Sequence, residues 1–227
     1  MDKLVDEVLQ ANLALPTHGL VIFTWGNASG IDRDKGIVVI KPSGVPYEGM
    51  NESHMVVLDL AGNVLSGKYK PSSDTATHLE IYRSFPEVGG IVHCHSQWAT
   101  AWAQSGRELP AYGTTHADYF CGPVPCTRRL KPEEIAEDYE LNTGKVIVDA
   151  FHGMDSIAVP GVLVAGHAPF CWGKTVKSAV ENAVVLEQCA MMAIQTELLN
   201  PEATPIEQEL LDKHYLRKHG TKAYYGQ

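Results

Sequence analysis

A chain of 227 residues with 44% hydrophobic side chains can bury a substantial core, and one globular unit is the simplest expectation. Its 27 acidic and 18 basic residues leave a formal charge of -9, which excludes a broad nucleic-acid footprint but allows a local basic pocket for a small phosphate. No run approaches the ~20 apolar residues of a membrane span, and the opening MDKLVDEVLQ lacks the pattern of a secretory signal, so a soluble cytoplasmic protein with no membrane or nucleic-acid partner is expected.

Leu4, Val5, Val8, Leu9 and Leu13 recur at helical spacing, and Pro16 with Gly19 should end that first helix. LVIF (20–23) reads as a short strand delivering the polar loop TWGNASGID, and GIVVIKPSG repeats the arrangement. MVVLDLAGNVLSGKYKPSSD contains a Gly-Asn turn between strand-like runs, after which Ser72, Ser73 or Asp74 is placed to cap a helix TATHLEIYRSF. The next strand carries VHCHS. QWATAWAQSG and KPEEIAEDYELNTG read as helices, the latter with Pro132 near its start; GVLVAGHAPFCWG is a strand that breaks at Gly166, and TVKSAVENAVVLEQCAMMAIQTELL is the longest helical pattern. This mixed order, with no linker or repeat, predicts a single α/β domain over 1–227 with a central, largely antiparallel sheet flanked by helices.

On a strand, His93 and His95 project from one face, so two imidazoles either converge on one ion or simply share that face as structural histidines. His167, in the Gly-rich AGHAPF, would complete a catalytic-type zinc site with one position open, or else bond its own turn. Asp74 is a fourth ligand, an acid/base group or a helix cap. KPSG (41–44) and KPSSD (70–74) offer lysines, hydroxyls and backbone donors suited to a phosphate monoester, as do Gly26 and Asn27 in GNASG, although each alone reads more readily as a turn. Asp118 in TTHADY is a proton carrier or an Asx turn, and the basic, tyrosine-rich end is an exposed tail or a flap over a cleft. His116, His214 and His219 are left as surface hydrogen bonds or site-orienting groups. The five cysteines, odd in number and without a C-x-x-C pair, read as reduced thiols.

Taken together, TWGNASG, IKPSGV, KPSSDTATH, GGIVHCHS, GTTHADYF, PGVLVAGHAPFCWG and KHYLRKHGTKAYYGQ resemble the L-ribulose-5-phosphate 4-epimerase family of the class II aldolase and epimerase superfamily, over essentially the whole chain. The resemblance implies a zinc site of His93, His95 and His167, with Asp74 where related aldolases carry a glutamate. It implies a phosphate pocket from Asn27, Lys41, Ser43, Gly44, Ser72 and Ser73, and acid/base roles for Asp118 and Tyr225 on opposite sides of the inverted carbon. A cyclic homotetramer follows from the same likeness, with Asp118 and Tyr225 reaching a neighbour's metal site and residues 212–227 closing over it.

The implied substrates, L-ribulose 5-phosphate and D-xylulose 5-phosphate, differ only at C4, whose hydrogen is not acidic because the ketone is at C2. Inversion therefore calls for cleavage and re-formation of the C3–C4 bond, with charge stabilised by the metal and the aldehyde fragment held by its phosphate while it rotates. A sugar-phosphate aldolase and a metal-stabilised binding protein without turnover are the alternatives.

Overall fold

The computed structural model describes residues 2–225. Seven strands, β1 (Asn27–Asp32), β2 (Ile37–Ile40), β3 (Val56–Asp59), β4 (Val64–Ser66), β5 (Gly90–His93), β6 (Gly161–Leu163) and β7 (Pro169–Gly173), form one sheet in the order β4-β3-β2-β1-β5-β7-β6. Every neighbouring pair is antiparallel, as the hairpin-like connections predict. The helices are α1 (Asp2–Thr17), α2 (Thr75–Ser84), α3 (Gln97–Ser105), α4 (Thr114–Ala117), α5 (Pro132–Ala136), α6 (Tyr139–Ala150), α7 (Val176–Leu199) and α8 (Gln208–His219). Among the described residues, no helix is long and apolar enough to cross a membrane.

Side chains alternate across β1, and that alternation divides the layers. A β-carbon at Gly30 would meet Val176 of α7 and Leu4 and Val8 of α1, whereas Ser29 bonds His78 and Tyr82 of α2 on the other face. α1 and α7 therefore cover one side of the sheet, while α2, paired with α6, covers the other. At Gly90 α7 packs directly on the strand, since a β-carbon there would overlap the Val176 backbone. Glu187 of α7 accepts hydrogen bonds from the Trp98 and Ala99 amides at 2.9 Å each. A buried carboxylate on a helix N-terminus satisfies two donors that the helix leaves open and complements its dipole, which fixes the start of α3 directly after His95.

The sequence expectation fails most clearly at LVIF. Residues 20–23 make no strand; Phe23 sits at φ 54, and the strand begins at Asn27, within the segment read as a loop. Its polar residues join the sheet because they have partners on every side. β2 starts pairing at Ser29, and where it no longer reaches, buried Asn12 of α1 takes its place, donating to the Ala28 carbonyl at 3.0 Å and accepting from the Ala28 amide at 2.8 Å. Gly26 makes the entry possible: at φ 78 it lies so close to β5 that a β-carbon would stand 2.8 Å from the His93 carbonyl oxygen.

Three smaller departures are local. KPEEIAEDYELNTG is two helices, divided at Glu137 and Asp138, the latter at φ 49. β5 ends at His93, so His95 lies just past the strand. The chain's end forms α8, whose last-turn Arg217, Lys218 and His219 suit a helix C-terminus.

Candidate metal centre and active-site cleft

Register places the first two parts of the site side by side. Asn27 lies directly opposite His93 in the β1–β5 ladder, and His93 opposite Phe170 in β5–β7, where the two rings stack at 4.1 Å. The β6–β7 hairpin then turns at Gly166, with φ 75, and presents His167. His93, His95 and His167 form a near-equilateral set, with ring centroids 4.9 to 5.0 Å apart and candidate ligand atoms all within 4.8 Å of one another.

The chemistry of this set fits a divalent cation. His93 Nδ1 lies 3.0 Å from the Pro169 carbonyl, which can only accept, so Nδ1 carries the proton and Nε2 is the free lone pair. His167 Nδ1 lies 3.4 Å from the Tyr139 hydroxyl, which can accept from it in the same way. Burial, then the His93 and His95 rings, lowers the His167 pKa to about 4. Burial, then His93, also lowers that of His95. Neutral nitrogen donors are what zinc and similar cations require, and three of them leave a position for a ligand.

Asp74 occupies the N-cap position of α2 but makes no side-chain cap. Its carboxylate instead accepts from Asn27 Nδ2 at 2.6 Å, with Ser72 Oγ at 3.4 Å. Burial would raise its pKa, yet the fields of His93 and His78 and the Asn27 bond hold it below the ordinary value.

The two KPS segments are zipped together. Ser43 N donates to Lys70 O at 2.9 Å and Ser72 N to Lys41 O at 3.0 Å, around a bridge between Pro42 and Pro71. Lys41 is only 1% exposed, with its ammonium 4.8 Å over the Tyr47 ring and no closer than 3.4 Å to two carbonyl oxygens. No carboxylate pairs with it among the described residues, and burial lowers its pKa to about 8.

All of Gly26, Asn27, Lys41, Ser43, Gly44, Ser72, Ser73, Asp74, His93, His95 and His167 line one cleft of about 600 Å³. The cleft also takes in Thr24, Trp25, Tyr139 and Glu140, which the sequence reading missed. DYELNTG carries only a helical signal, and Tyr139 and Glu140 gain the cleft through the packing of α6 on α2, where Thr77 Oγ1 donates to the Glu140 carbonyl at 2.6 Å.

Asp118 and Tyr225 stand together but outside this cleft. Arg217 of α8 donates to both Asp118 oxygens at 3.1 and 2.9 Å, His214 Nδ1 lies 3.1 Å from one of them, and His219 Nε2 donates to the Asp118 carbonyl at 2.8 Å. The Arg217 guanidinium also lies 4.2 Å from the Tyr225 ring centroid. Burial would raise the Asp118 pKa, but the bonds from Arg217 and His214 hold it below the usual carboxylate value. His214 and His219 thus tie α8 to Asp118, whereas buried His116 is a core hydrogen bond, donating from Nε2 to the Gly122 carbonyl at 2.7 Å.

The chain belongs to the class II aldolase and adducin N-terminal domain family, whose pattern it matches over residues 6–194. It superimposes on an L-fuculose 1-phosphate aldolase with TM-score 0.80 at 24% identity, covering 94% of this chain and 95% of that one. YgbL from Escherichia coli, whose activity is given only as aldolase, epimerase or decarboxylase, matches with TM-score 0.75 at 21% identity, covering 93% and 97%. A sugar-phosphate aldolase from Thermotoga maritima matches with TM-score 0.67 at 22% identity, covering 88% and 97%. At these identities the likeness is one of fold.

Proposed function

We propose that the protein is a metal-dependent epimerase that interconverts L-ribulose 5-phosphate and D-xylulose 5-phosphate by breaking and re-forming the C3–C4 bond. The observation that supports it best is one cleft containing both three converging imidazoles and a buried lysine without a carboxylate partner, among serine hydroxyls. That pairing suits a ligand with a phosphate at one end and oxygens for a cation at the other.

Lys41, Asn27, Ser43, Gly44, Ser72 and Ser73 would hold the phosphate, so that the cleaved aldehyde fragment turns over without escaping. A divalent cation, zinc in this reading, held by His93, His95 and His167 with Asp74 beside them, would stabilise the negative charge that builds as the bond breaks. Asp74 is one methylene shorter than the glutamate of the resembling aldolases and is tied to Asn27, which keeps its carboxylate back from the fragment that must stay unprotonated at carbon. Asp118 and Tyr225 of a neighbouring subunit would take and return the C4 hydroxyl proton from opposite sides, in a cyclic homotetramer closed by residues 212–227.

The test is the product mixture from L-ribulose 5-phosphate with metal-loaded and chelated protein. Metal-dependent D-xylulose 5-phosphate without free fragments is expected; free dihydroxyacetone and glycolaldehyde phosphate would make it an aldolase instead, in line with its fold neighbours, and no turnover would sink the proposed substrate.

Lys41 gives a pH dependence of its own. Only its protonated form attracts a phosphate dianion, and its folded pKa lies near 8 rather than near the ordinary 10.5. A sugar phosphate is already a dianion above about pH 7. Affinity should therefore be level near pH 7 and fall as pH rises through about 8, with proton uptake on binding in that range. Phosphate binding followed calorimetrically in two buffers of different ionisation enthalpy checks this; Lys41→Met should abolish the pH dependence along with most of the affinity.

A further inference from the structure

A seam of polar side chains runs from the cleft into the core, and its far end has no part in the mechanism above. Asp74, His78 and Tyr82 follow one another at four-residue spacing, so they share a face of α2. Asn27 and Ser29 share the facing side of β1. The two rows interlock: Asn27 Nδ2 donates to Asp74 at 2.6 Å, while Ser29 Oγ lies 2.7 Å from His78 Nδ1 and 2.8 Å from the Tyr82 hydroxyl. Ser29, His78 and Tyr82 are each 0% exposed. Buried polar groups of this kind are costly unless each is matched, yet among the described residues neither His78 Nε2 nor Asn27 Oδ1 has a partner.

Proton counting orients the seam. Ser29 has a single proton to share between two neighbours. If it gave that proton to Tyr82, the Tyr82 proton and the His78 Nε2 lone pair would both go unmatched. If Tyr82 donates to Ser29 and Ser29 to His78 Nδ1, these three side chains leave unmatched a single proton, on Nε2, while Asn27 Oδ1 at the cleft end of the seam is a buried acceptor without a donor. The acceptor one turn back on the same face is the Asp74 carboxylate, one oxygen of which is already taken by Asn27.

We propose that His78 is a positioning residue for Asp74: the Tyr82–Ser29–His78 chain fixes a proton on Nε2 that steers the Asp74 carboxylate toward the three-histidine centre. This rests on the metal-centre part of the proposed function and not on its substrate. Asn27 then holds Asp74 by a direct hydrogen bond, while the His78 Nε2 proton acts on it across the gap through its field.

The test is Zn²⁺ affinity, measured by competition with a chromogenic chelator, in His78→Phe, His78→Gln, Asp74→Asn and the double variant His78→Phe/Asp74→Asn. Phe keeps the ring volume and lets Ser29 and Tyr82 pair with each other. The expected result is about a 10- to 100-fold loss in His78→Phe. Gln, whose amide nitrogen stands where Nε2 does, should recover most of it, and His78→Phe should add nothing in the Asp74→Asn background. Unchanged affinity in His78→Phe, or an equal loss with and without the Asp74 carboxylate, would reduce His78 to a packing residue. Should His78→Phe not fold, two-bond ¹H–¹⁵N correlations of the native metal-free protein give the His78 tautomer: a proton on Nε2 supports the proposal and one on Nδ1 overturns it. None of these measurements uses turnover, so a failure of L-ribulose 5-phosphate as substrate would be a separate result.

Discussion

Replacing His95 by asparagine will cut turnover of the proposed sugar-phosphate substrate by about three orders of magnitude while leaving the melting temperature of the metal-free protein unchanged. The two halves of that expectation come from different parts of the structure. His95 is the most open of the three histidines and lies past the end of β5, so its ring supports none of the sheet. His93 differs: it is 2% exposed, stacked on Phe170 and bonded to Pro169, and the same substitution there should also cost stability. For turnover, asparagine cannot restore a neutral aromatic nitrogen at the third corner of the site. A cation at such a centre supplies several kcal/mol of transition-state charge stabilisation, and losing about 4 kcal/mol is about a thousandfold in rate. Rates with saturating Zn²⁺, alongside calorimetry of the metal-free variant, check both halves. A variant that keeps wild-type rates would remove His95 from the centre.

What the sequence made legible follows from the range over which each signal acts. GGIVHCHS shows its apolar run and its paired imidazoles within a few residues: the run is β5, and both imidazoles reach one centre although His95 lies past the strand end, whereas the close approach of α7 at Gly90 is a packing fact the segment does not carry. KPSG and KPSSD look alike on the page, but that they are hydrogen-bonded to each other is a fact about chain pairing that neither segment carries. NASGID fails as a sequence prediction for the same reason. It is polar because its side chains serve Asp74, His78 and Tyr82, and it is a strand because Asn12, β2 and β5 supply partners from distant parts of the chain. LVIF misleads in the opposite direction: local hydrophobicity favours a strand, but the close approach of Gly26 to β5 bends the chain away, leaving Phe23 79% exposed and Trp25 51% exposed beside the cleft. Tyr139 and Glu140 were hidden because a helical pattern does not say which cleft the helix will border.

Mixing two inactive variants will restore activity. His95→Asn removes a proposed cation ligand, and Asp118→Asn removes the proposed proton carrier, so each variant alone should be close to dead. In one subunit these residues belong to separate places: His95 lines the cleft, whereas Asp118 is held by Arg217 and His214 beside Tyr225, away from it. If Asp118 serves the same subunit's site, every mixed site keeps one defect and the mixture stays inactive. If it serves the next subunit around a ring, a site is intact whenever an Asp118→Asn subunit provides the histidines and a His95→Asn subunit provides the aspartate. Random assembly from equal amounts makes about a quarter of the sites intact. The measurement is turnover after the two variants are denatured together and refolded, against each refolded alone. Recovery near that fraction would place the clasp of Asp118, Arg217 and Tyr225 at a neighbour's cleft. No recovery would mean that α8 and Asp118 must swing toward their own cleft, which would first require breaking the two Arg217 bonds to the carboxylate and the His219 bond to its backbone.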